Sequence, residues 1–259
     1  MIEDSKSSGG EQILVAIILF IFQMFISAFV SDASLVSNGT IQLIYSIFVL
    51  FETWHLLGTG RIFKKNIVAN KKMIHYASMI ICGLVVFIFL QDLPFHFAHS
   101  SKMLVGAGIL ALSSAISEEY IFRGLFTSAI LKIIEYYDSI SFKITVTALI
   151  TSFLDASLIA VPYILGMTKL SLTVFGLEFG LNLLLSLVFF CVRMMTNGFR
   201  WCVGLHFMVD LMLSITTTNP LTNPVIGGLL AIVACLLLGG LFIYLNLIDH
   251  QLLTAESAN

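Results

Sequence analysis

Two adjacent carboxylates stand at the end of an apolar stretch of the chain. Glu118 and Glu119 are followed by Arg123 and Gly124. On a helix, Glu119 and Arg123 lie four residues apart on one face, where they can pair. Glu118 is rotated by about 100° from Glu119 and so faces a different neighbour. One carboxylate held by arginine and one left free suits general-base chemistry. The alternative is a helix end whose charges are simply solvated.

A second polar pair lies downstream in another apolar stretch. His206 and Asp210 are four residues apart, so both project from one face of a helix. The pair could supply a metal ligand, with the carboxylate holding the imidazole tautomer. It could also donate hydrogen bonds to a developing oxyanion. The alternative is a core histidine bonded to its own helix neighbour.

The composition indicates which elements position these pairs. Of the 259 residues, 58% are hydrophobic and 11% are charged, whereas about 25% are charged in an average soluble domain. The sequence therefore predicts an all-α, polytopic membrane protein, with residues 1–259 as a single membrane domain. It excludes a soluble enzyme, a disordered chain and a disulfide-rich module. The net charge of −2 gives no reason to expect nucleic acid as a partner.

About eight apolar runs are long enough to cross a bilayer as helices. They are continuously apolar and do not alternate as membrane strands do. The predicted spans are Ile13–Val30, Ile41–Leu57, Ile74–Leu90, Met103–Ser117, Ile144–Val161, Val174–Met195, Trp201–Thr217 and Val225–Leu247.

The distribution of basic residues predicts the orientation. Cytoplasmic loops are enriched in Lys and Arg, and one orientation places ten basic residues inside, Arg193 among them, and two outside. This orientation predicts a multi-pass integral membrane protein with both termini in the cytoplasm. Glu118 and His206 then lie at the same depth, in the cytoplasmic half of the fourth and seventh spans. We therefore expect Glu118, His206 and Asp210 to share one cavity.

These motifs resemble those of a known family. The string Glu-Glu-x-x-x-Arg from Glu118 to Arg123, followed by His-x-x-x-Asp from His206 to Asp210, is similar to the CPBP family of intramembrane endopeptidases. That family contains the type II CAAX prenyl proteases and Abi-type bacterial proteins linked to bacteriocin processing and self-immunity. The resemblance implies an eight-helix bundle with a site open to the cytoplasm and a catalytic core at residues 103–217.

The resemblance also implies roles for the motif residues. Glu118 would activate water, Glu119 and Arg123 would brace the site, and His206 with Asp210 would bind or stabilise the oxyanion. Glu118 and His206 are the implied metal ligands, with Zn²⁺ as the candidate ion. We further expect Arg123 to bond Glu119 and carbonyls of a neighbouring helix, because a lone charge inside the bundle is costly.

One motif of the family is altered. The family carries Phe-x-x-x-His on the intervening helix, and the matching run here starts at Phe153 and ends at Ser157. Asp155 is a polar neighbour, but two helical residues differ by about 200° in direction. We therefore expect weak metal binding and slow hydrolysis, both raised by Ser157→His. The earlier Phe95–His99 run also fits the motif, but it falls in a predicted outer loop.

The leading interpretation is an endopeptidase that cleaves a peptide or prepeptide at the cytoplasmic face of the lipid bilayer. Its substrate would enter an apolar cavity between spans four and seven. The rival is a catalytically impaired homologue that acts by binding, in bacteriocin immunity or as a scaffold for peptide export or sensing. A secondary transporter is the third interpretation.

Two further polar pairs are assigned structural roles. They are Glu52 with His55 and Glu178 with Asn182, and for the second pair the alternative is that it lines the cavity.

Overall fold

The computed structural model describes residues 5–30, 34–62, 101–136, 142–164, 166, 171–215 and 238–250. These residues form helices and no strand, which confirms the all-α prediction for the described part of the chain. The elements are α1 (Gly9–Phe29), α2 (Leu35–Leu57), α3 (Ser101–Glu118), a π-helical segment (Glu119–Phe126), α4 (Thr127–Tyr136), α5 (Lys143–Ile164), α6 (Leu172–Thr196) and α7 (Phe199–Ile215). Residues 238–250 form a further helix, α8.

Five helical stretches in the described residues are long and apolar enough to cross a membrane. They are Gly9–Ser27, Leu35–Leu57, Ser101–Tyr136, Lys143–Ala160 and Leu172–Thr196. Each overlaps one predicted span, and α7 covers most of the predicted Trp201–Thr217. The predicted span Ile74–Leu90 lies outside the described residues, and only the end of Val225–Leu247 lies within them. The count of eight therefore stays a prediction.

Side chains at the helix ends explain where the elements begin. α1 starts with a capping box, in which the Ser8 hydroxyl accepts from the Glu11 backbone N–H at 3.2 Å and Glu11 accepts from the Ser8 N–H at 2.8 Å. The start of α5 is capped by a side chain of another helix. The buried Asp249 carboxylate of α8 accepts from the backbone N–H groups of Ile144 at 2.8 Å and Thr145 at 3.0 Å. This cap fixes the end of α8 against the start of α5.

Close approach of α2 and α3 sets the position of the site. A Cβ added to Gly39 would lie 3.0 Å from the Leu110 nitrogen, and one added to Gly106 would lie 3.2 Å from the Val36 nitrogen. Small residues of this kind allow two membrane helices to pack backbone to backbone. α3 also packs against α7, and α5 packs against α6. The end of α3, which carries Glu118, is thereby held among α5, α6 and α7.

The outward faces of the helices are apolar. Large hydrophobic side chains are exposed along α1 and α2, among them Leu14, Phe25, Phe29, Ile44 and Phe51. In water such a surface would be unfavourable, whereas lipid tails solvate it well. The exposed faces therefore agree with a bundle surrounded by lipid.

Candidate active site

The chain from Glu119 to Phe126 is a π-helix instead of a continuation of α3. The Thr127 hydroxyl donates to the Phe122 carbonyl, five residues back, at 2.8 Å, and so satisfies a carbonyl of the widened turns. Single π turns within helices are frequent at functional sites. Because the repeat of a π-helix joins residues five apart, Glu119 and Arg123 do not stack as they would on an α-helix.

His206 lies between two carboxylates from the junction of α3 and the π-helix. Its Nδ1 is 2.9 Å from Oε1 of the fully buried Glu119. Because a carboxylate accepts, Nδ1 carries the proton, and the ring is fixed with Nε2 facing the other way. Nε2 lies 3.6 Å from Oε2 of Glu118 and 3.4 Å from Oδ2 of Asp210. The Phe189 ring stacks on the imidazole with centroids 4.6 Å apart.

The structure thus brings Glu118, His206 and Asp210 together, at distances well inside those expected of a shared cavity. The three carboxylates differ in their exposure to solvent. The side chain of Glu119 is 0% exposed, whereas those of Glu118 and Asp210 are 17% and 23% exposed. Glu118 and Asp210 can therefore meet a ligand, and Glu119 can act only through His206. The chemical roles assigned to these residues stay predictions.

Two donors hold one oxygen of Glu118. The Ser114 hydroxyl, one turn earlier on α3, donates to Oε1 at 2.7 Å. The Gln23 amide of α1 donates to the same oxygen at 3.3 Å. Oε2 is thereby turned towards His206, so that the two oxygens of this carboxylate have different surroundings.

Arg123 contacts Glu119, as predicted, and has a nearer partner that was not predicted. Its Nη1 lies 2.6 Å from Oδ2 of Asp155 on α5 and 3.6 Å from Oε1 of Glu119. Its Nη2 donates to the Ser186 carbonyl at 3.0 Å and to the Ser186 hydroxyl at 2.9 Å. The expected carbonyl contact is present, but the pairing with Glu119 is secondary. Arg123 therefore joins the π-helix to α5 and α6 as well as to Glu119.

A cavity of about 160 Å³ opens between α3, α5, α6 and α7. This is the place predicted for the substrate, since these helices contain the predicted spans four to seven. The lining differs from the apolar one expected. Its polar members are Ser114, Glu118, Asp155, Asn182, Ser186, His206 and Asp210, and its apolar members are Leu158, Ile159, Leu185, Phe189 and Val209.

The place assigned to Ser157 must be corrected. The Ser157 hydroxyl donates to the Leu154 carbonyl of its own helix at 2.6 Å, and Ser157 does not line the cavity. Asp155 lines it instead, and about 200° of rotation separates the two directions on α5. The side chain of α5 that faces Glu118 across the cavity is therefore a carboxylate, and Ser157→His would direct an imidazole elsewhere.

The comparisons with known proteins concern the same part of the chain. Residues 100–212 match the family model described as type II CAAX prenyl endopeptidase Rce1-like. This part of the chain is similar to that family. The match confirms the resemblance to the CPBP family, which includes the type II CAAX prenyl proteases, and with the apolar helices it makes the chain an integral membrane protein. No curated protein and no solved structure matches the chain.

The donor atoms of the Rce1-like site do not form a recognisable metal centre. A zinc site usually has three protein ligands and one open position. Among the described residues, no group of three or more His, Cys, Asp and Glu side chains is arranged to hold a metal ion. The expected ligands Glu118 and His206 are near each other, but the histidine that the family places on α5 is absent. Zn²⁺ therefore enters none of the chemical steps proposed below.

Other polar residues of the sequence analysis lie apart from this site. Glu52 is half-buried and His55 is exposed, and neither lines the cavity. Asn182 does line it, while its amide donates to the Glu178 carbonyl at 2.9 Å. The Phe95–His99 run lies outside the described residues.

Arg193 was counted among the ten basic residues of the cytoplasmic side, and the structure shows that it is a buried charge and not a solvated one. Its side chain is 0% exposed within α6. Its Nε donates to the Arg123 carbonyl at 3.5 Å, and its guanidinium lies 3.9 Å from the centroid of the Phe199 ring. Arg193 therefore braces the π-helix and does not line the cavity. The predicted span Val174–Met195 already contained Arg193, but a count of basic residues on each side does not distinguish a buried guanidinium from a solvated one.

The finding that Asp155, and not Ser157, lines the cavity can be tested with two variants. We expect Asp155→Asn to lower the rate of substrate turnover about tenfold, because it removes the charge that pairs with the buried Arg123. Ser157→Ala should leave turnover unchanged, since its hydroxyl contacts only its own helix. Steady-state cleavage of a reporter peptide by both variants measures the difference. An effect of Ser157→Ala equal to that of Asp155→Asn would contradict this arrangement.

Proposed function

We propose that this protein is a CAAX-type intramembrane endopeptidase that hydrolyses a peptide or prepeptide with water activated by Glu118. The observation that carries the proposal is the position of His206, which is fixed by Glu119 through Nδ1 and directs Nε2 towards Glu118 and Asp210 at the wall of a cavity with both polar and apolar lining. An oriented imidazole beside an accessible carboxylate is the arrangement that hydrolysis of an amide requires.

The proposed reaction has two steps. Oε2 of Glu118 takes a proton from a water molecule as the water oxygen attacks the scissile carbonyl carbon. The carbonyl oxygen becomes an oxyanion, to which the Nε2–H of His206 donates, while Asp210 and Glu119 stabilise the positive imidazolium. The intermediate then collapses, the carbon–nitrogen bond breaks, and Glu118 returns the proton to the leaving amine.

Asp155 gives the cavity a second acceptor. Its Oδ2 is bonded to Arg123, whereas its Oδ1 is buried with no hydrogen-bond partner among the described residues. A buried acceptor of this kind is costly unless a ligand or water donates to it. We assign it to the substrate or to the attacking water, in the place where the family has an imidazole.

The experiment is cleavage by the purified protein in liposomes, followed by mass spectrometry. Three peptide classes should be offered: a prenylated peptide ending in a CAAX sequence, the same peptide without the prenyl group, and an unrelated apolar prepeptide. Cleavage of at least one class at a single bond is the expected result. The class that is cleaved identifies the substrate, and intact peptides of all three classes would contradict the proposal.

A second function is favoured by one observation. The α5 side chain that faces the site is a carboxylate already bonded to Arg123, and no histidine of α5 lines the cavity. The presence of a carboxylate in place of a histidine is consistent with a homologue that has lost turnover and acts by binding, for instance in bacteriocin immunity. The two functions are separated by Glu118→Ala, because a binding role survives the loss of the general base and a protease role does not.

The proposed orientation places both termini and the site on the cytoplasmic side of a bacterial plasma membrane. In this orientation a cysteine introduced at Ser5 should react with a membrane-impermeant maleimide only in inverted vesicles. The same reagent tests the outer side with Lys102→Cys, which should react in intact cells. Labelling of Ser5→Cys from outside intact cells would contradict the orientation. The background is a variant with Cys82 and Cys235 replaced by Ser, and Cys191 and Cys202 do not interfere because both are buried.

A further inference from the structure

The catalytic carboxylate receives a hydrogen bond from outside the Rce1-like segment. α1 precedes that segment by some seventy residues of sequence, yet Gln23 of α1 donates from Nε2 to Oε1 of Glu118 at 3.3 Å. Gln23 is the one polar side chain of α1 between Gln12 and Ser27. An amide at that depth is costly unless it is hydrogen-bonded.

The packing of α1 fixes where this amide points. α1 lies against the π-helix, and the Phe20 ring meets the Phe122 ring edge-on with centroids 5.8 Å apart. The Tyr45 hydroxyl of α2 donates to the Leu19 carbonyl. Gln23 is itself buried at 7% exposure. The amide is therefore presented to Glu118 by a rigid contact between three elements.

We propose that Gln23 is a positioning residue of the active site. Together with the Ser114 hydroxyl it holds Oε1 of Glu118, so that Oε2 faces His206 and the attacking water. The inference rests on the proposed function, since it concerns the orientation of the general base. It adds that α1, although outside the matched segment, completes the site.

The consequence is a selective loss of turnover. When one donor is removed, the carboxylate gains rotational freedom, and misplacement of a reacting group by about 1 Å can cost up to about 100-fold in rate. Substrate binding is unaffected, because Gln23 does not line the cavity. A residue that only stabilises the bundle would instead lower the amount of folded protein and leave the kcat of the remaining fraction unchanged.

The test compares Gln23→Met, an apolar side chain of similar shape, with Gln12→Met as the matched control. Gln12 lies on the same helix, is fully buried, and donates to Ser5 and Ser7 at the far end from the site. We expect Gln23→Met to lower kcat about tenfold with KM unchanged, and Gln12→Met to leave both constants unchanged. In the double variant of Gln23→Met and Ser114→Ala, kcat should fall by less than the product of the two separate factors, because both donors act on one oxygen.

A second measurement is independent of turnover. In protein labelled with ¹⁵N-glutamine, Glu118→Ala should shift the side-chain amide signal of Gln23 and leave that of Gln12 in place. If the unaltered chain turns over substrate and Gln23→Met has the same kcat, the positioning role is overturned and the proposed function stands. An unmoved Gln23 signal would have the same consequence. Absence of turnover by the unaltered chain would overturn the proposed function, and the positioning role with it.

Discussion

Replacing Glu118 by Gln should lower the kcat for peptide cleavage by about 10³-fold, in the range typical of general-base catalysis. The amide keeps the shape of the side chain and can still meet Ser114, but it cannot take a proton from water. Glu119 is fully buried against His206 and Asp155 is bonded to Arg123, so neither carboxylate can replace Glu118. Asp210 also lines the cavity, but its carboxylate faces the His206 ring at 3.4 Å. Steady-state kinetics in liposomes measures the effect.

The matched control for this variant is Glu52→Gln. Glu52 is a half-buried carboxylate of α2 that does not line the cavity, so its replacement should leave kcat unchanged. Both variants should elute from a sizing column as the unaltered protein does. A Glu118→Gln variant with more than about a tenth of normal kcat would contradict a general-base role, because a proton transfer of this kind contributes at least about 10²-fold.

Replacing Arg123 by Ala should destabilise the protein by about 3–5 kcal/mol, the usual cost of leaving a buried charge without its partner. Its guanidinium is 1% exposed, pairs with Asp155, and donates to two oxygen atoms of Ser186. Without it, both carboxylates that it contacts, Asp155 and Glu119, lose their compensating charge. The yield of folded protein and the midpoint of unfolding in detergent measure the loss.

Arg200→Ala is the control for this experiment. Arg200 lies on the exposed side of α7, where a single charge contributes little to stability. Arg123→Lys should recover part of the lost stability, because ammonium keeps the charge but cannot form the fork between Asp155 and Ser186. Normal yield and normal turnover of Arg123→Ala would show that Arg123 does not brace the site.

The convergence of Glu118, His206 and Asp210 could be predicted because it depends on two simple regularities. Spacing of four residues places His206 and Asp210 on one helical face, and basic residues in the loops set the depth of each span. Neither regularity requires knowledge of how the helices pack. The same reasoning located the cavity between spans four and seven, but it expected an apolar lining because most residues of those spans are apolar.

Spacing predicted the contact of Arg123 with Glu119 but not its nearer partners. Asp155 and Ser186 lie on other helices, 32 and 63 residues away in sequence, so only the packing of α5 and α6 on the π-helix brings them to Arg123. Gln23 was missed for the same reason. Its contact joins residues 95 positions apart in sequence, and only the packing of α1 on the π-helix brings them together. A single amide in an otherwise apolar span was nevertheless a signal that a buried partner exists.

The measurement that tests the central claim most directly is cleavage in water enriched in ¹⁸O. The purified protein and its Glu118→Gln variant should be incubated in liposomes with the peptide that serves as substrate. The mass of the product with the new carboxyl end should then be measured by mass spectrometry. Attack by water activated by Glu118 predicts one ¹⁸O atom in the product of the unaltered protein and a rate about 10³-fold lower for the variant. Equal rates from the two proteins, or a product without solvent oxygen, would contradict the mechanism.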